Sequence, residues 1–403
     1  MQRSNEEPSL PAFDFGIPTR LVFGWDSLER LAKLPLPGRR ALLLTTSGGS
    51  IRRAGTLPRV ETLLKARGVE WAFWNRISAN PTEAEADAAA DFARSEGVDF
   101  VIGLGGGSAL DAAKAVALAV PNEGRIWDYV RGGTGGGRKA GSKPLPTVLI
   151  PTTAGTGSEA DPWMVLANHA TKEKIAFGTR DTYPTLSIID PALTVTVPPA
   201  FTAYQGFDAL CHAMEAYLNR RASIVSDLFA LEAVRRIARS LSRAVRDGND
   251  REARTNVSLA STLAGLTESL AGCISQHSLE HAMSAVQPNL THGKGLAMLS
   301  HAYFEVLGEK GGAAERWAAL AKALGADKTT PESAHRDFLA ALARLRQDCG
   351  LENLSWAEEG LTPEDFPELL ANARSAMGAL FACDPVALTD EDVLTIFRRA
   401  YRS

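Results

Sequence analysis

The chain has 403 residues, of which 45% are hydrophobic and 22% are charged, and its formal net charge at pH 7 is −4. This length and composition are typical of a globular protein with two or three domains of roughly 100–200 residues each. Proteins that bind nucleic-acid phosphates carry a basic excess, so the nearly balanced charge argues against a nucleic-acid partner. No run of about 18 apolar residues is present, and we therefore expect no membrane span.

The N-terminus and the cysteines indicate the compartment. Residues 1–8 are polar and acidic and lack the apolar core of a signal peptide. The cysteines are widely separated and form no CxxC pair, which argues against a disulfide framework and against a cysteine-based zinc site. Their positions are Cys211, Cys273, Cys349 and Cys383. We therefore expect a cytoplasmic protein with reduced thiols.

The first half of the chain alternates short apolar runs with helical segments. The predicted strands are 41–45, 69–74, 98–104, 147–150 and 186–189, and the predicted helices include 58–67, 83–96 and 109–120. Strands that alternate with helices predict a parallel sheet covered by helices on both faces.

The second half has almost only helical periodicity. The pair Pro198-Pro199 interrupts the chain, and helical patterns follow from residue 203 onward, including 223–247, 253–269, 313–324 and 333–349. We therefore predict an α/β domain over residues 1–198 and an all-α domain over residues 199–403.

A glycine-rich turn follows the third predicted strand. Strand 98–104 runs into Gly105-Gly106-Gly107-Ser108, and Asp111 lies in the first turn of the next helix. A helix N-terminus behind a glycine turn presents backbone N–H groups to a pyrophosphate. The spacing only approximates the dinucleotide-binding motif, and no acidic residue follows at about 20 residues. A turn that merely lets the helix and strand pack remains the alternative.

A second loop follows strand 147–150 with the sequence PTTAGTGSE. It offers the hydroxyls of Thr152, Thr153 and Thr156 at a carboxyl end of the sheet, where open parallel sheets bind ligands. The alternative is an ordinary capped turn, because serine and threonine are also common helix caps.

Two pairs of polar residues in the second half have metal-binding spacing. Asp208 and His212 lie four residues apart, as do His277 and His281, and His292 follows. Residues four apart share one face of a helix, and one carboxylate with several imidazoles suits zinc or iron(II). Core histidines without a metal remain possible. The segment 277–281 also matches H-x-x-E-H, a zinc-peptidase pattern in which Glu280 would be the base.

Taken together, these motifs resemble the iron-containing (group III) alcohol dehydrogenase family over nearly the whole chain. The matching segments are SANPT (78–82), GLGGGSALDAAKAVA (103–117), PTTAGTGSE (151–159), IIDPALTVTVPP (188–199), GFDALCHAMEAY (206–217), HSLEHAMSA (277–285) and LTHG (290–293). The resemblance implies a Rossmann-like domain, a helical domain and a cleft between them, in a dehydroquinate synthase-like architecture.

The resemblance also implies the site residues, the cofactors and the partners. Asp208, His212, His277 and His292 are similar to the family's ligands for Fe²⁺ or Zn²⁺, and His281 is similar to a histidine with a proton-relay role near the nicotinamide. The residues similar to dinucleotide contacts are Asn80, Gly105, Gly106, Gly107, Ser108, Asp111, Thr152, Thr153, Thr156 and Lys174. We expect a small alcohol or aldehyde as substrate and a homodimer or higher homo-oligomer. A catalytically degenerate nucleotide-binding protein is the remaining alternative.

Three features bear on the geometry of the metal site and on specificity for the cofactor and the substrate. The interval from His277 to His292 is one residue longer than in the family members that we compare. The stretch 44–50 lacks the aspartate that favours NAD(H) in many members, and Arg52 and Arg53 follow it, which predicts that NADP(H) is accepted. Two solvated arginines at a helix start are the alternative. Three side chains could narrow the substrate pocket, namely Trp163, Phe207 and Cys383, although the tryptophan and the phenylalanine could belong to the core instead.

Overall fold

The computed structural model describes residues 13–402 of the chain, with the side chain of the last of these not described. Residues 1–12 of the predicted first domain lie outside the described residues. They include residues 1–8, for which we predict no signal peptide.

A six-stranded parallel sheet organises the N-terminal half. Its strands are β1 (Arg20–Phe23), β2 (Arg40–Thr46), β3 (Glu70–Ile77), β4 (Phe100–Gly105), β5 (Thr147–Pro151) and β8 (Leu186–Ile189), in the order β1-β8-β5-β4-β2-β3. Two further strands, β6 (Met164–Asn168) and β7 (Glu173–Phe177), form an antiparallel hairpin beside it. All five predicted strands are present, whereas β1 and the hairpin were not predicted.

Helices cover both faces of the sheet, as the alternating pattern predicts. They are α1 (Ser50–Arg53), α2 (Thr56–Ala66), α3 (Glu83–Glu96) and α4 (Gly107–Ala119). Along β2, Leu42 and Leu44 pack in a cluster with α3 and α4, and Ala41 and Leu43 pack on the opposite face with α2. Because strand side chains alternate between faces, an uninterrupted apolar run serves both cores.

The C-terminal half is helical, as predicted. It contains α5 (Pro199–Leu218), α6 (Ile224–Arg246), α7 (Arg251–Ala271), α8 (Ser275–Val286), α9 (His292–Glu309), α10 (Trp317–Ala323), α11 (Ala334–Asp348), α12 (Phe366–Ala376) and α13 (Asp390–Arg402). The prediction of a helix from residue 313 is wrong for its first turn, because Ala313 has a φ of +58° and the helix begins only at Trp317.

No single helix among residues 13–402 is long and apolar enough to cross a membrane. The helices α7 and α8 reach the required length and composition only as a pair that is bent by 108° between them.

Candidate functional site

A cleft of about 480 Å³ lies between the sheet and the helical domain. One wall consists of loops at the carboxyl edge of the sheet, and the other consists of residues from α5, α7, α8 and α9. The volume is in the range of sites that bind small molecules and cofactors.

The glycine turn forms the start of the sheet-side wall. Gly105 ends β4 with a φ of +151°, and a Cβ there would lie 2.9 Å from the Cβ of Ala109, so this position requires glycine. Gly106 caps α4, and Gly106, Gly107 and Ser108 all line the cleft. The positive end of α4 therefore faces the cleft, where it can bind an anion such as a pyrophosphate.

The second loop is packed against the first. Thr153 and Thr156 line the cleft, whereas Thr152 and Gly105 are not in its lining. The backbone N–H of Thr152 donates to the carbonyl of Gly105 at 2.8 Å. This hydrogen bond holds the two loops together, and the assignment of Thr152 and Gly105 to the dinucleotide stays a prediction.

Asp111 lies at the wall, but its carboxylate is already engaged. One oxygen accepts from the Ser158 hydroxyl at 2.6 Å and the other accepts from the Val165 backbone N–H at 3.0 Å. Its contribution is thus to fix the second loop and β6 against α4.

A buried lysine, which sequence reasoning missed, reinforces this arrangement. The ammonium group of Lys114 donates to the Asp161 carboxylate at 3.0 Å and to the carbonyl of Trp163 at 2.6 Å, and its side chain is completely buried. Burying an ammonium is costly unless it is paired, so this lysine specifies one position of the loop. The signal in the sequence was the pair of charged residues, Asp111 and Lys114, on a helix rich in alanine.

Asn80 and Lys174 complete the predicted cofactor wall. The Asn80 side chain donates to the carbonyl of Pro288 at 2.6 Å, which connects the two walls. Lys174 is only 5% exposed, and its ammonium group has no hydrogen-bond partner within residues 13–402. The ammonium group lies 3.7 Å from Glu280 Oε2, an ion pair without a hydrogen bond, so its N–H donors remain available to an anionic or hydroxyl-bearing ligand at the cleft.

The four predicted metal ligands come together on the helical wall. Asp208 and His212 lie one turn apart on α5, His277 lies on α8, and His292 is the first residue of α9. One ligand atom of each lies within 4.8 Å of the others. Asp208 Oδ1 is 3.5 Å from His292 Nε2 and 3.8 Å from His277 Nε2. The longer interval before His292 is accommodated between α8 and α9.

The polar atoms of this group fit a divalent cation. Asp208 Oδ1, His212 Nδ1 and His277 Nε2 are buried and have no hydrogen-bond partner within the described residues. Such atoms are rare in folded proteins unless they bind a ligand or ion. Burial opposes ionisation of Asp208, but the nearby His212 and His292 lower its pKa to about 2. Asp208 is therefore an anionic ligand at neutral pH.

Two buried glutamates orient the imidazoles. Glu215 accepts a hydrogen bond from His277 Nδ1 at 2.7 Å, and Glu280 accepts one from His292 Nδ1. Because a carboxylate accepts the Nδ1 proton, the Nε2 lone pair of each ring is left to face the centre of the group. Sequence reasoning did not assign Glu215 to the site.

Glu280 is placed differently from the base of a zinc peptidase. It is completely buried, accepts from Ser284 and His292, and does not line the cleft. A general base must reach its substrate or a catalytic water, so this position argues against the H-x-x-E-H interpretation.

His281 lines the cleft beside the metal-binding group. Its Nδ1 lies 3.1 Å from the backbone carbonyl of Lys174, which can only accept, so Nδ1 carries the proton and Nε2 keeps its lone pair. Burial, with Lys174 and His292 nearby, lowers the pKa of His281 well below its usual range. The ring is therefore neutral at neutral pH, and its Nε2 lone pair can pass a proton on but does not retain it.

Of the three side chains considered for the substrate pocket, Trp163 and Cys383 line the cleft. Phe207 belongs to the helical core and is completely buried. Sequence reasoning missed further lining residues, namely Phe201, Tyr204, Arg221, Glu268 and Cys273.

A cleft with a helix N-terminus on one wall and an Asp–His₃ group on the other is suited to a metal-dependent oxidoreductase that uses a dinucleotide. Comparison with known proteins supports the same class. The family model "Iron-containing alcohol dehydrogenase" matches residues 18–191, and the model of the C-terminal part of the Fe-containing alcohol dehydrogenase family matches residues 202–401.

Individual relatives are similar over nearly their whole length. Long-chain-alcohol dehydrogenase 1 of Geobacillus thermodenitrificans is 33% identical over 392 residues, covering 95% of this chain and 96% of the relative. The NAD-dependent methanol dehydrogenase of Bacillus methanolicus is 31% identical over 394 residues, covering 96% and 99%. The crystal structure of an archaeal halo-thermophilic alcohol dehydrogenase from a Red Sea brine pool superposes with a TM-score of 0.91 at 31% identity, covering 97% and 100%.

The chain therefore belongs to the iron-containing alcohol dehydrogenase family. It is an oxidoreductase that acts on CH–OH groups, in a family that uses iron or a similar divalent metal together with NAD(H).

Proposed function

We propose that this protein interconverts a small alcohol and its aldehyde or ketone, with a divalent metal held by Asp208, His212, His277 and His292. The observation that carries the proposal is the set of buried, unpartnered ligand atoms that converge at the cleft opposite the N-terminus of α4. When bound, the metal supplies Lewis-acid stabilisation of negative charge on the substrate oxygen, and the nicotinamide supplies or accepts the hydride.

The remaining steps fall to this chain's own residues. Gly106, Gly107 and Ser108 bind the pyrophosphate through the end of α4, and Lys174 offers its ammonium group to the same ligand. Alcohol oxidation releases a hydride from the carbinol carbon and a proton from the hydroxyl group. His281 takes that proton at Nε2, directly or through a hydroxyl or water, because its Nδ1 is held by a carbonyl.

Metal removal tests this function. Protein stripped by a chelator is expected to lose turnover of small alcohols and aldehydes with NAD(H) and NADP(H), because the substrate oxygen loses its stabilising charge. Adding Fe²⁺ anaerobically, or Zn²⁺, is expected to restore it, and elemental analysis measures the stoichiometry. Full activity of a metal-free preparation would contradict the proposal.

We also propose that NADPH is accepted as well as NADH. The end of β2 and the end of β4 are adjacent in the parallel sheet, so residues 45–53 lie on the same edge as the glycine turn. That segment contains no carboxylate that would repel a 2′-phosphate, and Arg53 makes no ion pair within residues 13–402.

An Arg53→Ala variant is expected to raise KM for NADPH about 10-fold while KM for NADH changes little, since only the 2′-phosphate can pair with the guanidinium. Steady-state kinetics with both cofactors measure the ratio. Arg59→Ala is the matched control, because Arg59 pairs with Glu29 outside the cleft. An equal effect on both cofactors would refute the assignment of Arg53.

Three further assignments are proposals of the same kind. A domain boundary between residues 198 and 199 is supported by the start of α5 at Pro199. A homodimer or higher homo-oligomer is supported by large apolar side chains that are 46–67% exposed, namely Phe13, Phe15, Phe201, Ile224 and Leu228. A cytoplasmic location is supported by the four free, buried cysteines.

A further inference from the structure

One carboxylate in the cleft is not explained by metal or dinucleotide binding. Glu268 lies in the last turn of α7, lines the cleft, and has a side chain that is only 14% exposed. The apolar side chains of Ala271, Met377 and Leu380 line the same cleft.

Glu268 lacks the partners that the neighbouring glutamates have. No residue in the range 13–402 donates a hydrogen bond to its carboxylate, and the nearest ring nitrogen, His212 Nε2, is 3.6 Å from Oε2. By contrast, Glu215 accepts from His277 and from the backbone of Ile274. A carboxylate that is largely buried without a donor is destabilising, so its presence at a binding cleft indicates a donor that arrives with the ligand.

Glu268 lies beside the metal-binding group rather than within it. The four ligand atoms from Asp208, His212, His277 and His292 lie within 4.8 Å of one another, and no oxygen of Glu268 belongs to that set. Glu268 instead lies in a second cluster of possible ligand atoms, with His212, which the two clusters share, and Cys273. A substrate whose reacting oxygen lies at the metal therefore has this carboxylate next to it, on the side of His212.

We propose that Glu268 determines specificity by accepting a hydrogen bond from a second polar group of the substrate, a hydroxyl or an ammonium close to the carbinol carbon. The inference rests on the proposed function, because the carbinol oxygen must be fixed at the metal for the second group to reach Glu268. Diols, amino alcohols and the corresponding aldehydes are the favoured substrates, because a hydroxyl or an ammonium can donate to Glu268, whereas the carboxylate of a hydroxy acid has no donor.

The test compares 1-propanol, 1,2-propanediol, ethanolamine and glycolate with the metal-loaded wild type and a Glu268→Gln variant. The amide oxygen of the variant still accepts a hydrogen bond but carries no charge, so kcat/KM for the diol or the amino alcohol is expected to fall about 10-fold, the difference between a charge-assisted and a neutral hydrogen bond. Turnover of 1-propanol is expected to change less than threefold. A loss confined to the diol assigns the hydroxyl, and a loss confined to ethanolamine assigns the ammonium.

Two variants separate recognition from structure. Glu268→Asp keeps the charge on a shorter side chain and is expected to shift preference towards 1,3-propanediol. Glu252→Gln removes a carboxylate that is 72% exposed on the same helix and is the matched control. Metal content and melting temperature are measured for each protein, and Glu268→Gln is expected to keep its metal and to melt no lower than wild type.

Each contrary outcome has its own meaning. Loss of metal from Glu268→Gln would make Glu268 a ligand, and an equal loss of activity on all four alcohols would make it catalytic or structural. Either result overturns the specificity proposal alone. A wild type that oxidises none of the alcohols, although it is loaded with metal, would overturn the proposed function as well.

Discussion

An Asp208→Asn variant is expected to lose its metal and about 1,000-fold or more in kcat/KM while remaining folded. The asparagine keeps the shape of the side chain but removes the only anionic member of the four-ligand group. The fold is expected to survive, because Asp208 Oδ1 accepts no hydrogen bond within the described residues and its ion-pair partners there are the other members of the four-ligand group. Changes to residues that merely orient a ligand cost about 10–100-fold, so loss of a ligand itself should exceed that range.

Elemental analysis, kcat/KM and circular dichroism on the same preparations separate these effects. Asp390→Asn is a suitable control, since Asp390 is 70% exposed and pairs with Arg374 at the surface, where ion pairs contribute little to stability. The metal assignment would be wrong if Asp208→Asn bound metal stoichiometrically and turned over at the wild-type rate. A variant that unfolds would instead show loss of helical signal together with loss of metal.

The sheet could be predicted where strands are buried on both faces. Uninterrupted apolar runs such as that of β2 identify such strands, because both faces need apolar side chains. The hairpin of β6 and β7 was missed because β7 buries the polar residues Glu173 and Lys174. Those polar residues break the apolar pattern, and Lys174 is buried at the cleft for a reason that local sequence does not reveal.

The metal-binding group was the more predictable part of the site. Asp208 and His212 share a helix face by their spacing, whereas the approach of α8 and α9 to α5 depends on tertiary packing. The resemblance of these segments to a known family indicated that His277 and His292 join Asp208 and His212. Glu215 and Glu268 were missed because a single glutamate in a helix has no distinctive spacing, and only the folded structure shows what each one faces.

Substitution of Gly106 has the largest effect that we expect on cofactor binding. Gly106 has φ −79° and ψ −177°, which any residue can adopt, so a side chain there strains no backbone torsion. A Cβ would lie 3.1 Å from the Thr153 hydroxyl, and the two further carbons of valine need space at the end of α4, where the pyrophosphate is proposed to bind. Gly106→Val is therefore expected to raise KM for NAD(H) and NADP(H) roughly 100-fold, by displacing the phosphates from the backbone N–H groups.

Metal content is the readout that makes this result specific. Gly106 and the four-ligand group lie on opposite walls of the cleft, so Gly106→Val is expected to bind metal as the wild type does, whereas Asp208→Asn is expected to keep its affinity for the dinucleotide. Gly378→Ala is the control, because a Cβ there meets no atom within 4 Å and φ is not positive. Cofactor affinity that is unchanged in Gly106→Val, measured by fluorescence titration with NADH, would mean that the glycine turn serves only the packing of α4 against β4. If Gly106→Val loses only dinucleotide affinity and Asp208→Asn loses only metal, the two walls bind their ligands independently.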